Sequence, residues 1–164
     1  MPGTIVRINI SPGGLPKRPV SGGFLAPLGL EGDGHAHPGI HGGPRKAILL
    51  IAAEVVEELQ RRGYPVFFGA MGENLTTRGI DVRHLRIGDR IRAGGALLEI
   101  TQPRGPCPAL DIYGSAIKQE IYDPRVKALD HTSPRWGMSG FYASVVEPGP
   151  ASTGDIIAVV AQLA

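Results

Sequence analysis

The alternation of apolar and polar residues along the chain predicts many short strands and one amphipathic helix. From Thr4 to Ile10, Val6, Ile8 and Ile10 fall on one face and Arg7 and Asn9 on the other, as in a half-buried strand. Over Ile48 to Arg62 the period changes. Ile51, Val55 and Leu59 recur at four-residue steps beside Ala52 and Val56, which predicts a helix over 48–62. Glu57 with Arg61 and Glu58 with Arg62 form i,i+4 pairs in the favoured orientation, and Gly63 is placed to end the helix. Period two returns after Gly79, giving expected strands over Asp81 to Ile87, Asp89 to Ala93 and Ala96 to Thr101, with Gly94-Gly95 as a hairpin turn. Pro124 excludes a single helix across Leu110 to Leu129, leaving a short helix or two around 110–129. Phe141 to Glu147 and Asp155 to Val160 read as closing strands. Ser11 to Gly23 and Gly29 to Pro44 read as turn-rich loops. Gly88-Asp89 and Gly154-Asp155 form a local echo in which a Gly-Asp turn enters a strand.

Many short strands with one good helix predict a mainly β fold, an all-β barrel or a mixed α+β fold built on one. The chain has 164 residues, a length suited to one domain over 1–164, and no linker marks a second. With 24 Gly and 15 Pro it carries about twice the ordinary share of these residues, and the excess belongs to turns and shaped loops. A net charge of +2 gives no footprint for nucleic acid or an anionic membrane. The single Cys excludes an intrachain disulfide and fits a reducing compartment. No apolar run has the length of a signal peptide core or a membrane span, so a soluble cytoplasmic protein is expected.

Cys107 is the most informative residue. It lies in Gln102-Pro103-Arg104-Gly105-Pro106-Cys107-Pro108, where the prolines exclude a helix interior or a central strand and place it in a stiff loop. A free Cys is most often a small buried apolar residue, but this one lacks flanking apolar positions and has Arg104 near enough in sequence to stabilise a thiolate. That suits a nucleophile, a persulfide carrier or a soft-metal ligand. In a second loop, His35, His37 and His41 invite a zinc reading, although no familiar hydrolase spacing follows them. The same loop also reads as solvated with incidental histidines, or as an anion cradle. In the last case Gly42 and Gly43 allow close backbone approach while Arg45 and Lys46 supply charge. In a third loop, Gly69 to Thr77, Glu73 and Asn74 could meet the amide-like edges of a ligand. The plainer reading is a turn in which Asn74 caps the backbone. Trp136 reads as packing.

Taken in order, Gly29-Leu30-x-Gly32-Asp33, His41-Gly42-Gly43, Gly72-Glu73-Asn74-Leu75-Thr76, Ile87-Gly88-Asp89 and Pro103-Arg104-x-Pro106-Cys107 resemble the molybdenum cofactor sulfurase C-terminal domain family, called MOSC. The resemblance runs from Val6 to the C-terminus. It implies a closed or partly closed β-barrel-like fold and a molybdopterin-type molybdenum cofactor. Cys107 matches the Cys that ligates molybdenum in relatives reducing N-hydroxylated compounds. By the chemistry of the matching motifs, Arg45, Lys46 and Arg104 would hold the cofactor's phosphate, Asn74 its pterin edge, and His41 would shape the loop or donate a hydrogen bond. An oxidoreductase of this kind needs a small-molecule substrate and a separate electron donor, since one Cys cannot hold an iron–sulfur cluster. A sulfur-carrier role for Cys107 remains open. It would need a separate cysteine desulfurase, because no pyridoxal phosphate domain is present. A non-catalytic binding module is the third reading.

Overall fold

Strand β5 (Ile48–Ala52) has every residue buried, and it organises the fold. The other strands are β1 (Gly3–Ile10), β2 (Arg18–Val20), β3 (Gly22–Ala26), β4 (Gly29–Leu30), β6 (Leu75–Arg78), β7 (Arg90–Ala93), β8 (Ala96–Pro103), β9 (Phe141–Glu147), β10 (Gly149–Ser152) and β11 (Ile156–Ala161). The helices are α1 (Ala53–Arg61), α2 (Ile117–Ile121) and α3 (Pro124–Lys127). This is a computed structural model describing residues 2–34 and 42–161.

Seven strands close into a barrel in the order β11-β7-β8-β9-β5-β6-β1, and β1 returns to pair with β11 through Gly3 with Ile157 and Thr4 with Ile156. Strand β2 continues the sheet beyond β1, and β10-β3-β4 form a small second sheet. Neighbouring strands are antiparallel except β5 and β6, which run parallel. A parallel pair needs a crossover, and α1 lies in this one. The expectation of a mainly β, barrel-like fold therefore holds.

The predicted helix over 48–62 is corrected at its first turn. Ile48–Ala52 is strand, and the helix begins at Ala53. The cause is burial on both faces. Ile48 and Leu50 join the barrel core with Ile5, Ile8, Leu75, Leu98 and Phe141. Ile51 packs outward with Val56, Leu59, Met71, Leu110 and Ile117 in a second cluster. A strand covered on both sides shows no alternation, so its apolar run merges with the stripe of the following helix. Gly63 stops the helix with φ of +94°, as predicted. Glu58 pairs with Arg62, whereas Glu57 turns away from Arg61 to meet Arg78 at 2.9 Å.

Three smaller differences have local causes. The pairing of β1 with β6 shifts register between Ile5 and Arg7, so Ile5 and Ile8 are buried in place of the regular Val6, Ile8 and Ile10 face. The expected strand over Asp81 to Ile87 is a 3-10 turn at Val82–His84, opened by Asp81 accepting from the Arg83 N–H at 3.1 Å. The loop over 11–23 contains β2 and the start of β3. The Gly94-Gly95 hairpin is present, with Ala93 facing Ala96. The Gly-Asp echo is one device used twice. Asp89 and Asp155 each accept from the N–H three residues earlier at 2.8 Å, after a glycine at positive φ. Short helical pieces occupy 108–127, with Pro124 at the first turn of α3. Trp136 packs in the barrel core and donates to the Leu85 carbonyl at 2.8 Å.

Neighbours at the closing seam separate core from surface. Ile157→Ala empties a fully buried site and should cost about 3 kcal/mol, whereas Ile156→Ala, mostly exposed, should stay within about 0.5 kcal/mol. Urea denaturation of the two variants measures the difference.

Candidate functional site

At one end of β5 and β8 a pocket opens between the loops that the sequence marks as chemical. Its far wall is the segment after β8. The Arg104 N–H donates to the Gly140 carbonyl at 2.9 Å, and its Nε donates to the Ser139 carbonyl at 3.0 Å and to Ser139 Oγ at 3.2 Å. The side chain is 4% exposed, and Nη2 is buried with no hydrogen-bond partner among the described residues. Burial pulls the guanidinium pKa below its ordinary value, while Tyr142, Cys107 and Glu73 oppose that shift. Three residues on, Cys107 is half-buried in extended backbone and leads into the 3-10 turn Pro108–Tyr113. Pro106 and Pro108 fix the chain on either side of the thiol. Thiol and guanidinium line the same pocket.

Tyr142, from β9, closes this wall. Burial pushes its phenol pKa up, Arg104 lowers it and Cys107 adds to the rise. The Lys46 ammonium lies 5.3 Å from the centre of the Tyr142 ring, close enough for a cation–π contact. Gly42 and Gly43 precede Lys46 with φ of +91° and +86°, a backbone that L side chains rarely adopt. Arg45 is exposed and does not line the pocket. Its carbonyl accepts from the Thr101 hydroxyl at 2.6 Å.

The near wall rests on a buried ion pair that sequence reading missed. Lys17 Nζ meets Asp33 Oδ1 at 2.6 Å, with side chains 8% and 3% exposed. Asp33 also accepts from the Ser11 N–H at 2.9 Å and from Asn74 Nδ2 at 2.8 Å. Asn74 lines the pocket, but its polar groups are committed to the protein. Its N–H donates to the Leu49 carbonyl at 2.9 Å, and its Oδ1 accepts from the Leu49 N–H at 3.1 Å. The side chain thus ties β5 to the base of the loop at Asp33 and Gly34. Gly69 is constrained by the same wall: a Cβ there would lie 2.3 Å from the Lys17 carbonyl oxygen.

Of the residues singled out from sequence, Cys107, Arg104, Lys46 and Asn74 converge on this pocket. His35, His37 and His41 lie outside the described residues, and among the described residues no three His, Cys, Asp or Glu side chains cluster to hold a metal. Lys17 and Tyr142 had no usable signal. One sits in a Pro-rich loop that reads as solvated, and the other sits in a strand where an aromatic residue reads as core. No helix among the described residues is long and apolar enough to cross a membrane.

Comparison with known proteins agrees with this fold. A family model described as the MOSC domain matches residues 37–158. The uncharacterized protein YflK of Bacillus subtilis is 37% identical over 145 residues, covering 86% of this chain and 60% of YflK. Protein YiiM of Escherichia coli is 31% identical over 161 residues, covering 93% of this chain and 66% of YiiM. The chain therefore spans about two thirds or less of the length of these curated relatives. The crystal structure of YiiM from Geobacillus stearothermophilus superposes with a TM-score of 0.69 at 29% identity, covering 98% of this chain and 76% of that one. The YUAD protein of Bacillus subtilis gives a TM-score of 0.70 at 22% identity over 96% of this chain and 94% of its own, a likeness of fold alone.

Removing one partner of the buried pair strands the other's charge. Asp33→Ala should lower stability by about 3–5 kcal/mol, and combining it with Lys17→Met should recover only the part due to the stranded ammonium, because the Ser11 N–H and Asn74 Nδ2 still lose their acceptor. Urea denaturation of the single and double variants checks both.

Proposed function

The chain belongs to the MOSC domain family, and from that premise we propose that its pocket holds a molybdopterin-type molybdenum cofactor and reduces N-hydroxylated small molecules. The observation that carries this reading is the half-buried Cys107 thiol sharing a pocket wall with a buried guanidinium whose Nη2 has no partner among the described residues. A buried donor without an acceptor is costly, and an anionic group entering the pocket satisfies it. A soft, strongly donating thiolate suits a metal already bound by a sulfur-rich pterin. The residues present therefore fit the group.

Each residue then has a task. Cys107 ligates the metal through its thiolate. Arg104 pairs with the cofactor's phosphate, its planar fork held in place by Ser139. Lys46 adds charge from the opposite loop, steadied over the Tyr142 ring. Asn74 keeps the near wall in place without spending its amide on the ligand. Tyr142 keeps its phenol proton, burial raising its pKa further, and its Oη–H supplies one of the two protons of the reduction to the departing hydroxyl oxygen; the second comes from solvent to the nitrogen, so that N–OH, two electrons and two protons give N–H and water. When bound, the cofactor supplies two-electron exchange between molybdenum(IV) and molybdenum(VI). Electrons come from a separate donor protein.

The test is elemental analysis of untagged protein made in a host that synthesises molybdopterin. Wild type is expected to carry molybdenum and to reduce N-hydroxylated bases or amines. Cys107→Ser should lose metal and activity together, and Arg104→Ala should lose most of the cofactor. A folded wild type without molybdenum contradicts the reading. If that protein instead gains sulfur on Cys107 from a desulfurase, measured by mass spectrometry, the half-buried thiol acts as a persulfide carrier.

A further inference from the structure

The rim of the pocket continues into a surface patch built from three segments. The Lys17 N–H donates to the Gly69 carbonyl at 2.8 Å, and Tyr113 Oη donates to the Ala70 carbonyl at 2.7 Å, so residues 15–18, 67–72 and 109–113 are held side by side. Each segment supplies the pocket, through Leu15, Met71 and Ala109 among others. Each also faces outward. Phe67 is 39% exposed with its ring edge-on to Tyr113, the centroids 6.5 Å apart, and Ile112 is 67% exposed. Arg18 is exposed beside Lys17. Arg7, exposed on β1, places its guanidinium 5.9 Å from the centre of the Phe68 ring. Two exposed apolar side chains and two exposed arginines thus share one patch.

The charges of this patch differ from those elsewhere on the surface. Arg62, Arg78, Arg90, Arg92 and Arg125 each meet a carboxylate within 3.1 Å. Arg7 and Arg18 have no carboxylate partner among the described residues, and Asp111, beside Ile112, is matched by Lys118 at 3.4 Å. Arginine with aromatic side chains is a composition enriched at protein interfaces, and guanidinium groups without a counter-charge select an acidic partner. A second copy of this chain fits poorly, because a two-fold interface would set the same positive patch against itself.

We infer that this patch docks an acidic flavoprotein electron carrier. The inference rests on reading the pocket as a reductase site, which draws its electrons from outside the chain. Docking at the rim brings the carrier next to the chemistry, and a small patch suits the weak, transient interfaces of electron-transfer pairs. A flavin matches the reaction in electron count. Its hydroquinone loses two electrons and two protons to become oxidised flavin, and the N–OH group takes up two of each to give N–H and water.

The probe is purified flavodoxin, an acidic flavoprotein, titrated at low salt into the full chain and followed by calorimetry and 15N NMR. Wild type is expected to bind, with the largest amide shifts at Arg7, Arg18, Phe67 and Ile112. Arg7→Glu and Arg18→Glu should each weaken binding by about tenfold, and added salt should weaken wild-type binding. Arg83→Glu, on the 3-10 turn that follows β6, should change affinity by less than about twofold. Amidating the carboxylates of the flavodoxin should abolish binding. A folded wild type that does not bind overturns the proposal, as do reversal variants that bind like wild type or shifts confined to another face. Should the reversal variants fail to fold, the amidated carrier and the wild-type shift map decide. An artificial donor separates this proposal from the reading of the pocket. Molybdenum-loaded protein that reduces N-hydroxylated compounds with reduced methyl viologen but binds no flavodoxin loses the docking surface and keeps the reductase. Protein that binds flavodoxin through these arginines and reduces nothing with either donor keeps the docking surface and loses the reductase.

Discussion

Burial of β5 on both faces is the constraint on which the site depends. The strand is hydrogen-bonded to β9 on one side and to β6 on the other, and its side chains divide between the barrel core and the outer cluster. A strand so enclosed has no freedom to slide, because a one-residue slip would exchange its two faces. Everything at its N-terminal end inherits that fixity. Lys46 precedes the strand, Leu49 lines the pocket, and the Leu49 N–H and C=O bind the side chain and backbone of Asn74. Through Asn74 the order passes to Asp33 and Lys17. Through β9 it passes to Tyr142.

The pocket built on this frame is asymmetric in charge. Its near wall contains a matched pair, Lys17 with Asp33, saturated by further hydrogen bonds to Asp33. Its far wall holds Arg104, whose guanidinium keeps one nitrogen without a partner among the described residues. A satisfied ion pair contributes rigidity and little attraction. An incompletely satisfied guanidinium in a low-dielectric wall attracts an anion strongly. Cys107 stands three residues from that guanidinium on a backbone stiffened by two prolines, so the chain's one thiol and a buried cation line the same pocket.

Much of this was legible in the sequence, for identifiable reasons. Cys107 and Arg104 stood out because three prolines left them no regular element to occupy, and the structure brings both to the pocket. The barrel was expected from many short strands, although of the barrel strands only β7 keeps a clean alternation of burial along its length. The start of α1 was misplaced because Ile48–Ala52 is covered on both sides, and a run of five apolar residues carries no period of its own. Val6 was placed on the wrong face because the register shift in β1 leaves no mark in composition. Asn74 was read as a ligand contact or a turn cap. The structure uses it as a brace, and its partner Leu49 is twenty-five residues away. Lys17 pairs with Asp33 sixteen residues on and shares the pocket lining with Tyr142 from β9, juxtapositions that local pattern does not encode.

The central claim is that Cys107 provides a thiolate to a molybdenum centre beside Arg104. X-ray absorption at the molybdenum edge tests it most directly, on protein loaded in a molybdopterin-producing host and compared with Cys107→Ser reconstituted at excess cofactor. The account predicts one more sulfur neighbour around molybdenum in the wild type than in the variant. An equal sulfur count in the two proteins would contradict it.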